Sequence, residues 1–150
     1  AGVEGTVETL GMRHTKIRDY DGSLHTIPNS QITNVQNLNS GPMRFDCNIY
    51  LSYDVSYEEA EDIVETVSKQ LKADKDLGKY IIQDVSVFGI MEIRESSYLL
   101  RTTGVAVPGH QWALGREERK LIIDEIYGRA LNPSIQVVAI AKGKEINEEI

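Results

Sequence analysis

Asp21-Gly22 stands midway between two runs of alternating residues, and this leaves the segment few conformations besides a hairpin. Glycine accepts a positive φ at no steric cost and Asp tolerates it better than most residues, so the pair suits a tight turn over residues 20–23. Before the turn, Thr15, Ile17 and Asp19 alternate with Lys16, Arg18 and Tyr20; after it, Leu24, Thr26 and Pro28 alternate with His25 and Ile27. Successive side chains of a strand point to opposite faces, so these runs read as two antiparallel strands. The second ends at Pro28, which cannot donate to the ladder. Upstream, residues 5–10 read as a further strand, with Gly11 as a bulge or bend. Downstream, Asn29-Ser30-Gln31-Ile32 is a turn or a short helix start that Asn29 or Ser30 is able to cap. Strands this short enclose little core, so the unit needs a neighbour, either the rest of the chain or a second copy.

Residues 36–43 break the pattern. Asn, Ser, Gly and Pro cluster there and apolar periodicity stops, which marks a linker with a boundary near Gly41-Pro42. The expected division is a β unit over 1–40, an α/β unit over 41–142 and a polar tail over 143–150. Residues 44–53 read as a strand with Phe45, Cys47, Ile49 and Leu51 on one face. Ser56 and Glu59 form a capping box, and Ala60, Ile63, Val64, Val67 and Leu71 give the following helix an apolar stripe to about residue 73. Acidic residues crowd the first half of this helix and Lys69, Lys72 and Lys75 its end, as the helix dipole favours. Residues 80–93 read as a strand with Val85, Val87, Gly89, Met91 and Ile93 on one face. Residues 98–107 form another, carrying Leu99, Leu100, Val105 and Val107. A second helix is expected from about 111 to 131, with Trp112, Ile122, Ile126 and Ala130 as its stripe and Arg119, Ile123 and Tyr127 beside it. Asn132 and Pro133 stop it, and residues 134–142 supply a last strand. Strand, helix, strand, strand, helix, strand is the split β-α-β order of ferredoxin-like domains, an α+β class with helices on one face of an antiparallel sheet.

Composition narrows function further. The chain has 150 residues and a net charge of −7. Residues 1–42 hold three Lys/Arg against four Asp/Glu, and the remaining residues hold 13 against 19, so the acidity belongs to the second unit. Nucleic-acid binding needs a clustered basic surface, and the aromatic RNA-binding motif is missing from both long strands of that unit. Cys47 is the single cysteine, so no internal disulfide forms; its place on an apolar face favours a buried small residue over a reactive thiol. No run of about 18 apolar residues occurs, and no signal peptide is visible. His14, His25 and His110 lack metal-ligand spacing, and Gly2-Val3-Glu4-Gly5 lacks the Lys-Ser/Thr that cradles phosphate. Arg13 and Arg18 fit exposed strand cations better than phosphate ligands. These readings give no catalytic residue, no cofactor and no metal, and do not argue for an enzyme.

In order and with compact spacing, the chain carries Gly5-Thr6-Val7, Arg13-His14-Thr15-Lys16-Ile17-Arg18, Asp21-Gly22 and Ile27-Pro28-Asn29-Ser30-Gln31-Ile32. Together these resemble the β-domain of the small-conductance mechanosensitive channel family. The motif residues are Gly5, Val7, Arg13, Thr15, Arg18, Asp21, Gly22, Ile27, Pro28, Asn29, Ser30 and Ile32. The resemblance is motif-specific over residues 5–34 and pattern-level beyond. It implies an Sm-like β-domain, lacking its first strand at the N-terminus, followed by the α/β domain. It implies membrane helices preceding the present chain, which would belong to a protein of the cell inner membrane with this region facing the cytoplasm. It further implies a homo-oligomeric cage, typically of seven subunits, that filters solutes through side openings below the pore. Gln36, Asn37, Asn39 and Arg44 are the expected portal residues. In the family the last strand can join other copies in a small barrel, here Gln136, Val137, Val138, Ala139 and Ile140. The family's Gly and Pro-Tyr-Pro-Gln before that strand correspond to Asn132-Pro133-Ser134-Ile135-Gln136, which keeps the first Pro and the Gln only. The alternative is a regulatory ligand-binding module on a ferredoxin-like scaffold, since fold alone does not decide function.

Overall fold

The alternating runs around Asp21-Gly22 form a three-stranded antiparallel sheet of β1 (Thr6–Leu10), β2 (His14–Arg18) and β3 (Leu24–Pro28), in that order. The structure is a computed structural model that describes residues 2–129 and 137–139. Gly22 has φ 89°, the left-handed conformation that an L side chain resists. The Asp19 carboxylate accepts the backbone N–H groups of Asp21 (3.1 Å) and Ser23 (2.8 Å), fixing the loop from within. The bend expected at Gly11 is the β1–β2 turn, closed by the Gly11 N–H donating to the His14 carbonyl at 2.9 Å, and a separate register shift lies between Val7 and Thr9 of β1. A single 3-10 turn, Asn29–Gln31, follows β3. Neither Asn29 nor Ser30 caps it: Pro28 is the N-cap, without a side-chain bond, because Asn29 is engaged elsewhere.

The described residues divide into two units, with the boundary between Asn37 and Leu38. The second holds β4 (Met43–Ser52), α1 (Tyr57–Lys72), β5 (Ile81–Ile93), β6 (Ser97–Ala106), α2 (Gln111–Arg129) and β7 (Val137–Ala139). Its four-stranded sheet has the order β5-β6-β4-β7, and every pairing is antiparallel. Ser56 Oγ accepts the Glu59 N–H at 3.2 Å, so Ser56 is the N-cap that the sequence directs. Every residue of the expected α1 stripe is buried, from Ala60 to Leu71. It packs into one core with Phe45, Cys47, Ile49, Leu51 and Leu100 of the sheet. Each fully buried Leu, Ile or Val side chain contributes about 1.5–3 kcal/mol relative to exposure. Facing residues pair in register, Phe45 with Gly104, Cys47 with Thr102, Ile49 with Leu100 and Leu51 with Tyr98, which sets one sheet face against the helices.

On β6 the buried residues are Tyr98, Leu100, Thr102, Gly104 and Ala106, so Leu99 and Val105 lie on the opposite face. Two expectations about which face is buried need correction. On β5 only Val85 is fully buried, while Met91 and Ile93 are exposed. The β5–β6 register shifts at four places, and each irregularity breaks the period of two. On α2 the buried residues are Gln111, Leu114, Gly115, Glu118, Ile122 and Ile126, while Trp112 is 43% exposed and Tyr127 is 73% exposed. The end of that helix beyond residue 129 and the stop at Asn132-Pro133 lie outside the described residues.

Candidate functional site

Within the first unit the motif residues form a hydrogen-bonded frame. Thr15 is buried in β2, and its Oγ1 donates to Asn29 Oδ1 at 2.8 Å. Asn29 Nδ2 donates to the Gly11 carbonyl at 2.9 Å, and its backbone N–H donates to the Arg13 carbonyl at 2.9 Å. One side chain thus ties the β1–β2 turn, the middle of β2 and the end of β3. Arg18 pairs with Glu8 across β1 and β2, and its Nη1 donates to the Gly22 carbonyl at 2.7 Å. The Arg18 hydrogen bond holds the Glu8 carboxyl below its usual range, and His25 does the same to Asp19. His25 Nε2 lies 2.8 Å from Asp19 Oδ2. These ions are solvated, and such pairs contribute little to stability. Ile27 is buried and Pro28 and Ile32 are half-buried, whereas Arg13, Asp21 and Ser30 are exposed. Gly5 lies against the Arg18 backbone. Val7, Leu10, Met12, Tyr20, Leu24 and Val35 remain exposed, so this unit leaves much of its apolar surface outside.

In the linker, Gln36, Asn37 and Asn39 are exposed. Arg44 is exposed too, but it belongs to a polar lattice on the sheet face opposite the helices. Its Nη2 donates to Thr103 Oγ1 at 3.0 Å, its Nε lies 3.8 Å from Asp46, and its guanidinium lies 5.5 Å from the Phe88 ring centroid. Thr103 Oγ1 in turn donates to Asp46 at 2.7 Å, and Arg101 donates to Asn48 at 2.9 Å. At the far end, Tyr50 donates to Glu92, Arg94 pairs with Glu92 at 2.7 Å, and Arg94 stacks over Tyr50 at 4.4 Å. The face therefore presents charges that are already partnered. Val137, Val138 and Ala139 form β7 at the sheet edge beside β4, while Gln136 and Ile140 lie outside the described residues.

Glu118 carries no functional assignment from sequence, yet it is the fully buried carboxyl of the second unit's core, between α2 and the sheet. The Thr102 hydroxyl donates to its Oε1. Burial pushes its carboxyl up to about 7, against the opposing pull of Thr102 and Arg119. Cys47 is also buried, and its thiol is pushed up to about 12 by burial and by Glu118. The available signal was the three-and-four spacing of Gln111, Leu114, Glu118, Ile122 and Ile126, in which two polar residues continue an apolar stripe. An open groove of about 470 Å³ between α1 and β5 is lined by Glu61, Glu65, Ser68, Lys69 and Asp84. Its acids are partly neutralised by Lys69 and Lys72. Among the described residues no group of three or more His, Cys, Asp or Glu gathers as a metal site, and no helix is long and apolar enough to cross a membrane.

Residues 1–40 match the family described as "Mechanosensitive ion channel, beta-domain". The chain is 30% identical over 118 residues to the small-conductance mechanosensitive channel of Caldanaerobacter subterraneus, covering 79% of this chain and 41% of that protein. It is 27% identical over 114 residues to the moderate conductance mechanosensitive channel YbiO of Escherichia coli, covering 73% of this chain and 15% of that protein. In both cases the chain spans less than half of the relative's length. Its fold is similar to the crystal structure of Helicobacter pylori MscS in the closed state, with a TM-score of 0.67, 20% identity, and coverage of 99% of this chain and 56% of that one. The cryo-EM structure of Arabidopsis thaliana MSL1 gives 0.61 at 13% identity, covering 93% and 50%.

Proposed function

Because this chain belongs to the small-conductance mechanosensitive channel family, we propose that it forms the cytoplasmic cage of an inner-membrane channel, seven copies enclosing a vestibule that filters solutes below the pore. The observation that carries this reading is the 118-residue similarity to a named channel, which extends well past the β-domain match at residues 1–40 into the α+β unit. The exposed apolar residues of the first unit support assembly, since a unit with so little core gains most by burying Val7, Leu10 and Leu24 against further copies. We read the first unit as Sm-like and the second as ferredoxin-like; the strand order β7-β4-β6-β5 supports the latter.

Selection in such a cage is physical: opening size and lining charge set what reaches the pore. Gln36, Asn37, Asn39 and Arg44 line the openings in this proposal. Three of the four are uncharged amides or sit beside them, and the Arg44 charge is met by Asp46 and Thr103, so the openings discriminate weakly by charge. Two measurements test the reading. Light scattering of the chain across a concentration range is expected to give a discrete ring-sized mass; a monomer throughout removes assembly from these residues. In the full-length channel, Asn37→Lys with Asn39→Lys is expected to shift the reversal potential towards anion preference. Unchanged conductance and selectivity would exclude the linker as the portal.

A further inference from the structure

We propose that Glu118 is a proton-controlled latch: protonated, it lets α2 seat on the sheet; ionised, it loosens α2 at that contact. The argument begins with geometry. Glu118 is 0% exposed, its Oε1 accepts from Thr102, and its Oε2 has no hydrogen-bond partner among the described residues. A neutral carboxyl in this position leaves one polar atom unmet. A carboxylate leaves a net charge in an apolar core with one donor, a far larger cost.

One cation stands near that charge, the Arg119 guanidinium, which also hydrogen-bonds to the Cys47 thiol, and it does not outweigh the burial. Thr102 on β6 pairs in register with Cys47 on β4, so the carboxyl sits beside a hydroxyl and a buried thiol. Phe45 and Gly104 form the next facing pair, and Gly115, one turn earlier on α2, lies over the Phe45 Cβ. The charged and titratable groups acting on Glu118 come from three elements. Arg119 on α2 and the Thr102 hydroxyl on β6 favour the carboxylate, whereas Asp46 on β4 opposes it. Cys47 on β4 stays a neutral thiol. Burial outweighs the favourable pair and holds the carboxyl near neutrality, at about 7.

Above that pH the ionised group is relieved only where water reaches it, and the way to admit water is to lift α2 from β4 and β6. Opening of α2 is therefore linked to proton release. With a closed-state value of about 7 against 4.5 when hydrated, the opening equilibrium rises about tenfold between pH 6 and pH 8.

Carbon-13 NMR titration of the Glu118 carboxyl in the full chain tests the first link, and amide hydrogen exchange of α2 at pH 6 and pH 8, corrected for intrinsic rates, tests the second. The expected results are a Glu118 midpoint near 7 and an approximately tenfold loss of α2 protection at pH 8, absent in Glu118→Gln. A midpoint near 4.5, or the same pH dependence in wild type and Glu118→Gln, overturns the proposal. Should Glu118→Gln fail to fold, Thr102→Val serves instead. Removing the hydroxyl that favours the carboxylate is expected to raise the midpoint further, and an unmoved midpoint counts equally against the latch.

Discussion

Replacing Gly104 by Ala should destabilise the second unit, although alanine is the better strand residue. Gly104 lies within β6 facing Phe45 of β4, with a backbone that needs no positive φ. An added Cβ would stand 2.5 Å from Phe45 Cζ, 2.8 Å from Cε1 and 3.0 Å from Cε2. Carbon atoms attract at about 3.5–4.0 Å, so the ring must retreat by roughly 1 Å. Phe45 is 4% exposed and belongs to the main core, where packing leaves little room to move. Overpacking of this kind costs about 1–3 kcal/mol, while the gain from removing glycine's backbone entropy is roughly 0.5–1 kcal/mol. The net expectation is a loss of about 1–2 kcal/mol. Urea unfolding followed by circular dichroism should show a lower midpoint with an unchanged slope. Phe45→Leu, which lacks the offending ring atoms, should remove the penalty. In that background Gly104→Ala becomes neutral or stabilising, with a coupling of about 1–3 kcal/mol. A neutral or stabilising Gly104→Ala alone, or strict additivity with Phe45→Leu, would refute the packing argument.

Further predictions follow from the same contacts. Asn29→Ala strands the Thr15 hydroxyl and the Gly11 carbonyl, costing about 1–3 kcal/mol, and exchange of the β2 and β3 amides should accelerate while that of α1 does not. Native Cys47 should resist alkylation at pH 8, because its thiol is buried and pushed up to about 12; labelling at the rate of a free thiol would contradict its placement. Stability should fall between pH 5 and pH 8. Glu118 rises from 4.5 unfolded to about 7 folded, so its contribution is fully present below 4.5 and lost as pH climbs through 7, about 2–3 kcal/mol of it between pH 5 and pH 8. The carboxyls held low, Glu8, Asp19, Asp74 and Glu92, act with the opposite sign, and only in the acid range where they titrate. An equal or higher urea midpoint at pH 8 than at pH 5 would refute the sign.

The first unit was readable from sequence because local chemistry decides it. A period of two on either side of Asp21-Gly22 admits one register, and the Asp19 carboxylate completes the loop from within it. α1 was equally plain. Ser56 and Glu59 start it, and Ala60 through Leu71 form a single apolar stripe that can face only one way. Sequence likewise carried the β-domain motif, and with it the family. The role of Asn29 was hidden, since a residue suited to capping its own turn is instead consumed by Thr15 and Gly11, 14 and 18 positions away.

α2 shows what sequence alone leaves open. Trp112, Leu114, Leu121, Ile122, Ile123, Ile126 and Tyr127 surround the helix, so apolarity alone does not choose a face. The large Trp112 suggests one phase, but docking against β4 and β6 selects another, with Gly115 over Phe45 and Glu118 bonded to Thr102. Packing of Gly115 against Phe45 and one buried hydrogen bond set that phase, and both depend on residues far away in the chain. The same holds for β5, whose irregular pairing with β6 decides which side chains are covered. Periodicity and capping are properties of neighbours in sequence, whereas the buried carboxyl and its titration near neutrality exist only once α2, β4 and β6 meet.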